Sequence, residues 1–139
     1  MSLDQSHEHD HVHVGNVFSA TCPCRDLLDV VASKWSALAI GALLGGQLRF
    51  GELQRHLEGI SPKVLTSTLR KLEDYGIVNR TVFAEVPLRV EYSLTQLGRE
   101  AGVPLEALRV WAESQLEHAQ QTEAARTKNA HAESARALV

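Results

Sequence analysis

No stretch of this sequence stays apolar long enough to cross a bilayer. The longest apolar-leaning run, residues 27–44, is interrupted by Asp29, Ser33, Lys34 and Ser36, whereas a spanning helix needs ~20 predominantly apolar residues. The first ten residues contain no basic region followed by an apolar run. No secretory leader is legible, and the expected compartment is the cytoplasm. Cysteine is equally sparse: two residues, Cys22 and Cys24, cannot build a disulfide framework. One intervening residue is expected to strain a mutual bridge, so thiols at rest are the expectation. Catalytic signatures are missing as well. There is no glycine-rich phosphate loop, no G-x-S-x-G elbow and no H-E-x-x-H pair, and carboxylates nowhere gather into an acid–base site. Neither an enzyme nor a cofactor is expected.

The 139 residues, 44% apolar and 22% charged, suit one domain with a real core and are too few for two. The formal charge of −3 becomes informative once it is located. Residues 1–24 carry three acids and no base, residues 25–111 carry eleven bases and ten acids, and residues 112–139 carry three bases and four acids. The ends are acidic and the middle is not. Within that middle, residues 61–71 hold Lys63, Arg70 and Lys71 with no acid. A basic patch is thus available in a chain whose overall charge would not advertise one.

Residues 1–20 are polar, with histidine alternating at His7, His9, His11 and His13, and are expected to form a flexible arm. From Cys22 the apolar residues take on a helical period at Leu27, Leu28, Val31, Trp35, Leu38, Ala39, Ala42 and Leu43. A break near Ala32-Ser33 is expected to divide two helices, and Gly45-Gly46 closes the second. A short helix follows over residues 50–57, with Phe50, Leu53 and Leu57 on one face. Ser61-Pro62 then has the form of a helix start, serine as cap and proline in the first turn. That helix is expected to run to about Tyr75 and to place Leu65, Leu69 and Leu72 on one side, with Lys63, Thr66, Ser67 and Arg70 on the other. After Gly76 the period switches toward two, predicting a β-hairpin from Val78, Arg80 and Val82 to Val90, Tyr92 and Leu94, with residues 84–88 as its tip. Thr95 can cap a further helix, which Gly102-Val103-Pro104 is expected to break or kink. A last amphipathic helix aligns Leu105, Leu108, Trp111 or Ala112, and Leu116. Trp35 and Trp111 are expected to anchor a core or an interface. The expected organisation is an arm (1–20), one domain (21–118), and a polar helical extension or disordered tail (119–139).

The fold class that follows is mainly α with a small β-hairpin, in the element order of a winged helix-turn-helix. Donor side chains at one-turn spacing on the helix opened by Ser61 suit a DNA major groove ~12 Å wide. Lys63, Thr66, Ser67 and Arg70 are the expected groove-facing set, with Ser61 at the helix start a further DNA-contact candidate.

Several runs carry a resemblance besides: Cys22-Pro23, Lys34-Trp35, Arg49-Phe50-Gly51-Glu52-Leu53, Gly59-Ile60-Ser61, residues 65–73 (LTSTLRKLE), Val86-Pro87, residues 89–95 (RVEYSLT), Gly98 and Trp111. Together, over about residues 22–113, the chain resembles the HxlR-type family of bacterial winged-helix regulators. The resemblance implies a homodimeric transcription regulator whose N- and C-terminal helices build the dimer interface, with double-stranded operator DNA as partner and no membrane. It assigns the Ser61 helix to the major groove and the hairpin to the wing. Arg89 would then reach phosphates or the minor groove, Arg80 the backbone, and Arg49 is a further candidate contact. A cross-strand surface ion pair between Arg89 and Glu91 is the alternative for that arginine.

Cys22 stands where a helix begins, next to Pro23 and near Arg25. The positive end of a helix and a nearby cation favour the thiolate. Some members of the family it resembles sense oxidants or electrophiles through a cysteine before this proline, which makes an oxidant or small-molecule effector part of the expectation. Cys24 departs from the usual pattern and leaves open which thiol reacts first and whether the resolving thiol lies in the other subunit. The alternation of His7, His9, His11 and His13 gives no fixed metal geometry, and no metal site is expected. Two other readings stay open: a metal-responsive regulator using the His-rich arm, and a winged-helix adaptor that binds proteins rather than DNA.

Overall fold

A computed structural model describes residues 14–138 of the chain; the histidines of the arm, His7 to His13, lie outside the described residues. Two helices come first, α1 (Pro23–Val31) and α2 (Lys34–Leu43), separated at Ala32-Ser33. A two-residue strand β1 (Leu48–Arg49) leads into the short α3 (Phe50–His56). Then come α4 (Pro62–Asp74), the hairpin strands β2 (Val78–Phe83) and β3 (Arg89–Leu94), α5 (Gln96–Ser114) and α6 (Leu116–Ala137). The strands form one antiparallel sheet in the order β1-β3-β2. Val78 faces Leu94, Arg80 faces Tyr92 and Val82 faces Val90 across the hairpin, while Leu48 faces Tyr92 on the other edge. Strand β1 is not foreseen by the sequence pattern, because two residues are too short to show an alternation. Among the described residues no helix is long and apolar enough to cross a membrane.

The core gathers one face of each element: Val30 from α1, Ala39, Ile40 and Leu43 from α2, Leu53 and Leu57 around α3, Leu65, Leu69 and Leu72 from α4, and Ile77, Val78, Tyr92 and Leu94 around the sheet. Trp35 packs partly against this cluster. Trp111 does not; it is 60% exposed, with Leu108 and Leu116 similarly uncovered. The stripe on the last helices therefore finds no burial within one chain beyond Leu105, which packs partly on the core.

The ends of α4 are fixed by local chemistry. At its start Ser61 Oγ accepts the Val64 amide at 3.2 Å, and Pro62 occupies the first turn, where its missing N–H is harmless. At its end the Gly76 amide donates to Glu73 O at 3.0 Å and the Ile77 amide to Leu72 O at 2.9 Å. These two bonds satisfy carbonyls the helix would leave open, and they require the positive φ of 71° at Gly76. The chain is thereby turned directly from α4 into the hairpin. Replacing Ser61 by alanine should cost about 1 kcal/mol and lower the melting temperature by roughly 4 °C, read by circular dichroism.

Helix α5 corrects one expectation. Instead of breaking at Gly102-Val103-Pro104 it runs without interruption through Pro104. The proline forfeits one bond, to the carbonyl of Glu100; both residues are exposed, and water can serve that carbonyl instead. Gly102 lies buried on the inner side, where a Cβ would stand 2.7 Å from Leu44 Cδ2. Thr95 joins the helix to the rest of the fold. Its hydroxyl donates toward Gly76 O and Ile77 O, and accepts the Gly98 amide at 3.1 Å.

Candidate nucleic-acid interface

Thirteen residues make α4 about 20 Å long at ~1.5 Å per residue. Its inner stripe is sealed, with Leu65, Leu69 and Leu72 at most 1% exposed. Four turns of outer face remain. Lys63, Ser67, Arg70 and Lys71 are all exposed there, and none of their side chains makes a hydrogen bond or ion pair within the described residues. No acid interrupts the face until Glu73 and Asp74 at the helix end. A shallow depression runs along it between Lys63, Thr66, Arg70 and Tyr75.

The expected groove-facing residues divide on closer inspection. Lys63, Ser67 and Arg70 stand free as anticipated from spacing. Thr66 is half-buried, and its hydroxyl donates to Pro62 O at 2.8 Å. Its proton is spent inside its own helix, leaving an acceptor and a methyl group for any ligand. Ser61 is exposed but occupied as the cap, with its hydroxyl proton still available. Lys71, beyond the expected set, adds a cation at the last turn; its signal was present in the basic stretch but not in the one-turn spacing.

The supporting half of the motif is α3 and its turn. The Arg49 amide donates to Glu52 Oε1 at 3.1 Å, closing the N-terminus of α3. Leu53, Leu57 and Ile60 are buried in the same core cluster as the inner stripe of α4, and Gly59 makes the corner with φ of 91°.

In the hairpin, Arg80 is exposed on β2 and has no side-chain partner among the described residues. Arg89 is held differently. Its guanidinium lies 3.3 Å from Glu85, 3.5 Å from Glu91 and 4.1 Å over the Phe83 ring, with its side chain only 27% exposed. Arg49 approaches the same Glu91 oxygen at 3.9 Å from β1, with more than half its side chain exposed. Glu91, 14% exposed, thus ties two arginines to the base of the wing. The Arg89–Glu91 contact runs along one strand at a two-residue step. Period-two strand geometry puts both residues on one face, a signal the sequence carries but that pairing across strands obscured.

The cysteines correct a second expectation. Rather than being kept apart by their spacing, Cys22 and Cys24 are brought side by side at disulfide distance, with α-carbons 5.4 Å apart. Pro23 opens α1 between them, and the curl of a helical first turn brings alternate α-carbons within the 4.4–6.8 Å or so that a bridge spans.

A separate groove of about 950 Å³ lies between α2 and α5, walled by Leu38, Leu44, Leu57, Leu105 and Leu108. On its rim Arg109 bonds Glu113 at 2.7 Å and also Glu106. Glu106 is held below the usual carboxylate range by its hydrogen bond with Arg109. Among the described residues no group of three or more His, Cys, Asp or Glu is disposed to hold a metal ion.

The sequence model of the HxlR-like helix-turn-helix family matches residues 30–120. The chain belongs to that family. Among curated proteins, the HTH-type transcriptional regulator YtfH of Escherichia coli K12 is 42% identical over 102 residues, covering 73% of this chain and 81% of YtfH. Among solved structures, the transcriptional regulator ytfH from Salmonella typhimurium is 39% identical with a TM-score of 0.73, covering 79% of this chain and 98% of that one. The redox regulator HypR in its oxidised form is 40% identical with a TM-score of 0.63, covering 67% of this chain and 96% of HypR. The HxlR-like match contains every DNA-contact candidate from Arg49 to Arg89, and begins after both cysteines. The winged helix-turn-helix architecture expected from the element order is the fold of this transcriptional-regulator family.

Proposed function

We propose that the chain acts in the cytoplasm as a homodimeric DNA-binding regulator, inserting α4 of each subunit into successive major grooves of a pseudo-palindromic operator, with Cys22 as a thiol sensor of oxidants or electrophiles. The observation that carries the DNA reading is the outer face of α4. Lys63, Ser67, Arg70 and Lys71 are exposed there and unclaimed by any described residue. Donors so placed have nothing to do for the fold, and a helix of this length fits the groove. In this reading Arg70, midway along the helix, reaches base edges. Lys63, Lys71 and Arg80 neutralise phosphates. Arg49 and Arg89 frame the wing, since their charges are already shared with Glu91.

Dimerisation is supported by what one chain leaves uncovered. Leu28 on α1, Val103, Leu108, Val110 and Trp111 on α5, and Leu116 on α6 are 48–71% exposed. Exposed apolar side chains on the terminal helices are what a second copy would cover. Support for the sensing part comes from the likeness to HypR, a redox regulator, and from Cys22 at the start of α1.

Selection from random-sequence duplexes with the purified, reduced full-length protein tests the DNA reading. A two-fold symmetric motif should emerge, its half-site centres about one helical turn, ~34 Å, apart. Affinity for it should fall steeply with salt as counterions are released. A protein-binding adaptor built on the same fold would enrich no motif, and that outcome would end this reading.

A further inference from the structure

The cysteine pair lies at the start of α1, an element with no part in the candidate DNA-contact set. Cys22 directly precedes α1, and Cys24 lies in its first turn. Residues 15 and 16, in the chain folded back before the helix, lie against both sulfurs. The Asn16 amide donates to Cys22 Sγ at 3.3 Å, and a Cβ placed on Gly15 would stand 3.5 Å from Cys24 Sγ. The Asn16 N–H and the positive end of the α1 dipole both favour negative charge on the Cys22 sulfur. Cys24 Sγ is covered on one side by Gly15 and adjoins Cys22 on another.

We propose that Cys22 and Cys24 form a single thiol-exchange site that takes small disulfides as substrate, with Cys22 as the entering nucleophile and Cys24 of the same chain as the resolving thiol. This rests on the thiol-sensing reading above and adds where the oxidised state closes: inside one chain, not between subunits. In the first step the Cys22 thiolate attacks one sulfur of the small disulfide. That S–S bond breaks, a mixed disulfide forms on Cys22, and one thiolate leaves. In the second step Cys24, its proton passed to water, attacks the Cys22 sulfur, breaks the mixed disulfide and expels the second small thiolate. Two protein thiols are oxidised and one small disulfide is reduced to two thiols. The second step wins because the resolving sulfur is already in place two residues away in the same chain, whereas a thiol on another molecule must be brought there.

The test uses the full-length reduced protein treated with oxidised glutathione and followed by intact mass, thiol alkylation and non-reducing denaturing gels. Wild type should lose both alkylatable thiols, end two hydrogens lighter with no adduct, and migrate as a monomer. Cys24→Ser should stop at the first step and keep one glutathione on Cys22, located by peptide mapping. Cys22→Ser should acquire its adduct at Cys24 about tenfold more slowly than Cys24→Ser does at Cys22. A disulfide-linked dimer in wild type, a persistent wild-type adduct, or failure of the wild-type thiols to react would each overturn the proposal. Since every readout is covalent, a protein that passes here but selects no DNA motif would sink the DNA reading alone.

Discussion

Gly98→Ala should lower the melting temperature by roughly 10 °C or more, equivalent to about 3 kcal/mol. A Cβ at Gly98 would stand 2.2 Å from the carbonyl oxygen of Ile77 and 3.0 Å from Leu94 Cδ2. The obstacle is backbone, and that backbone is pinned. Ile77 O accepts both the Thr95 amide at 3.0 Å and the Thr95 hydroxyl at 3.1 Å, while the Ile77 amide closes the end of α4 on Leu72. To make room the chain must give up some of these bonds, each worth about 0.5–1.5 kcal/mol, or lift α5 off the sheet. Alanine's helix propensity returns only ~1 kcal/mol. Gly102→Ala supplies the internal control. There the nearest atom, at 2.7 Å, is the end of the Leu44 side chain, and Leu44 is 40% exposed, so a rotamer change clears the space. Its cost should be offset by the same propensity gain, leaving stability within about 0.5 kcal/mol of wild type. If Gly98→Ala and Gly102→Ala melted together, the close approach of α5 to the α4–β2 corner would not be what holds α4 and the hairpin against α5.

That corner also shows where the sequence was legible and where it was not. Helix starts and stops were readable because their chemistry is local. Ser61-Pro62, Gly76 and the Thr95 cap on the Gly98 amide each act within a few residues of their own position, and α4 and the hairpin stand where those signals put them. The sealed stripe Leu65, Leu69 and Leu72 was readable for the same reason, a period within one element. Gly98 was different: it stood out only as part of a resemblance, because its reason is a carbonyl 21 positions away in sequence, visible only once α5 crosses the corner. Pro104 does not break the helix because a proline's local penalty is outweighed when the helix on both sides is held by packing, Gly102 on the inner side and Leu105 against the core. The approach of the two cysteines was not legible because a C-x-C spacing by itself suggests α-carbons held apart, whereas the helical conformation of Pro23 between them draws them to 5.4 Å. At the candidate DNA-contact surface, spacing identified which side chains point outward but not which are already engaged. Thr66 spends its proton on Pro62 O, and Arg89 is gripped by Glu85, Glu91 and Phe83; both engagements depend on side-chain conformations that no period encodes.

That distinction between pointing outward and being unengaged makes Arg70 the sharpest probe of the interface. Arg70→Ala should weaken binding to the selected operator by about 30-fold at least, since a specific arginine–base contact is worth ~1–3 kcal/mol and a dimer would lose two of them. Competition among single-base variants should show preference relaxing at one symmetric pair of positions and nowhere else. Lys63→Ala, at the first turn of α4, should weaken binding to all duplexes alike and lower the salt slope by about two, one per subunit, as for a phosphate contact. Stability gives no way out of this comparison: both side chains are exposed and make no bond within the described residues, so each variant should unfold within about 0.5 kcal/mol of wild type. A loss of affinity with base preference intact would move Arg70 to the phosphate class. Unchanged affinity together with unchanged preference would mean that the outer face of α4 is not what meets the bases, and the assignment of this helix to the major groove would fall with it.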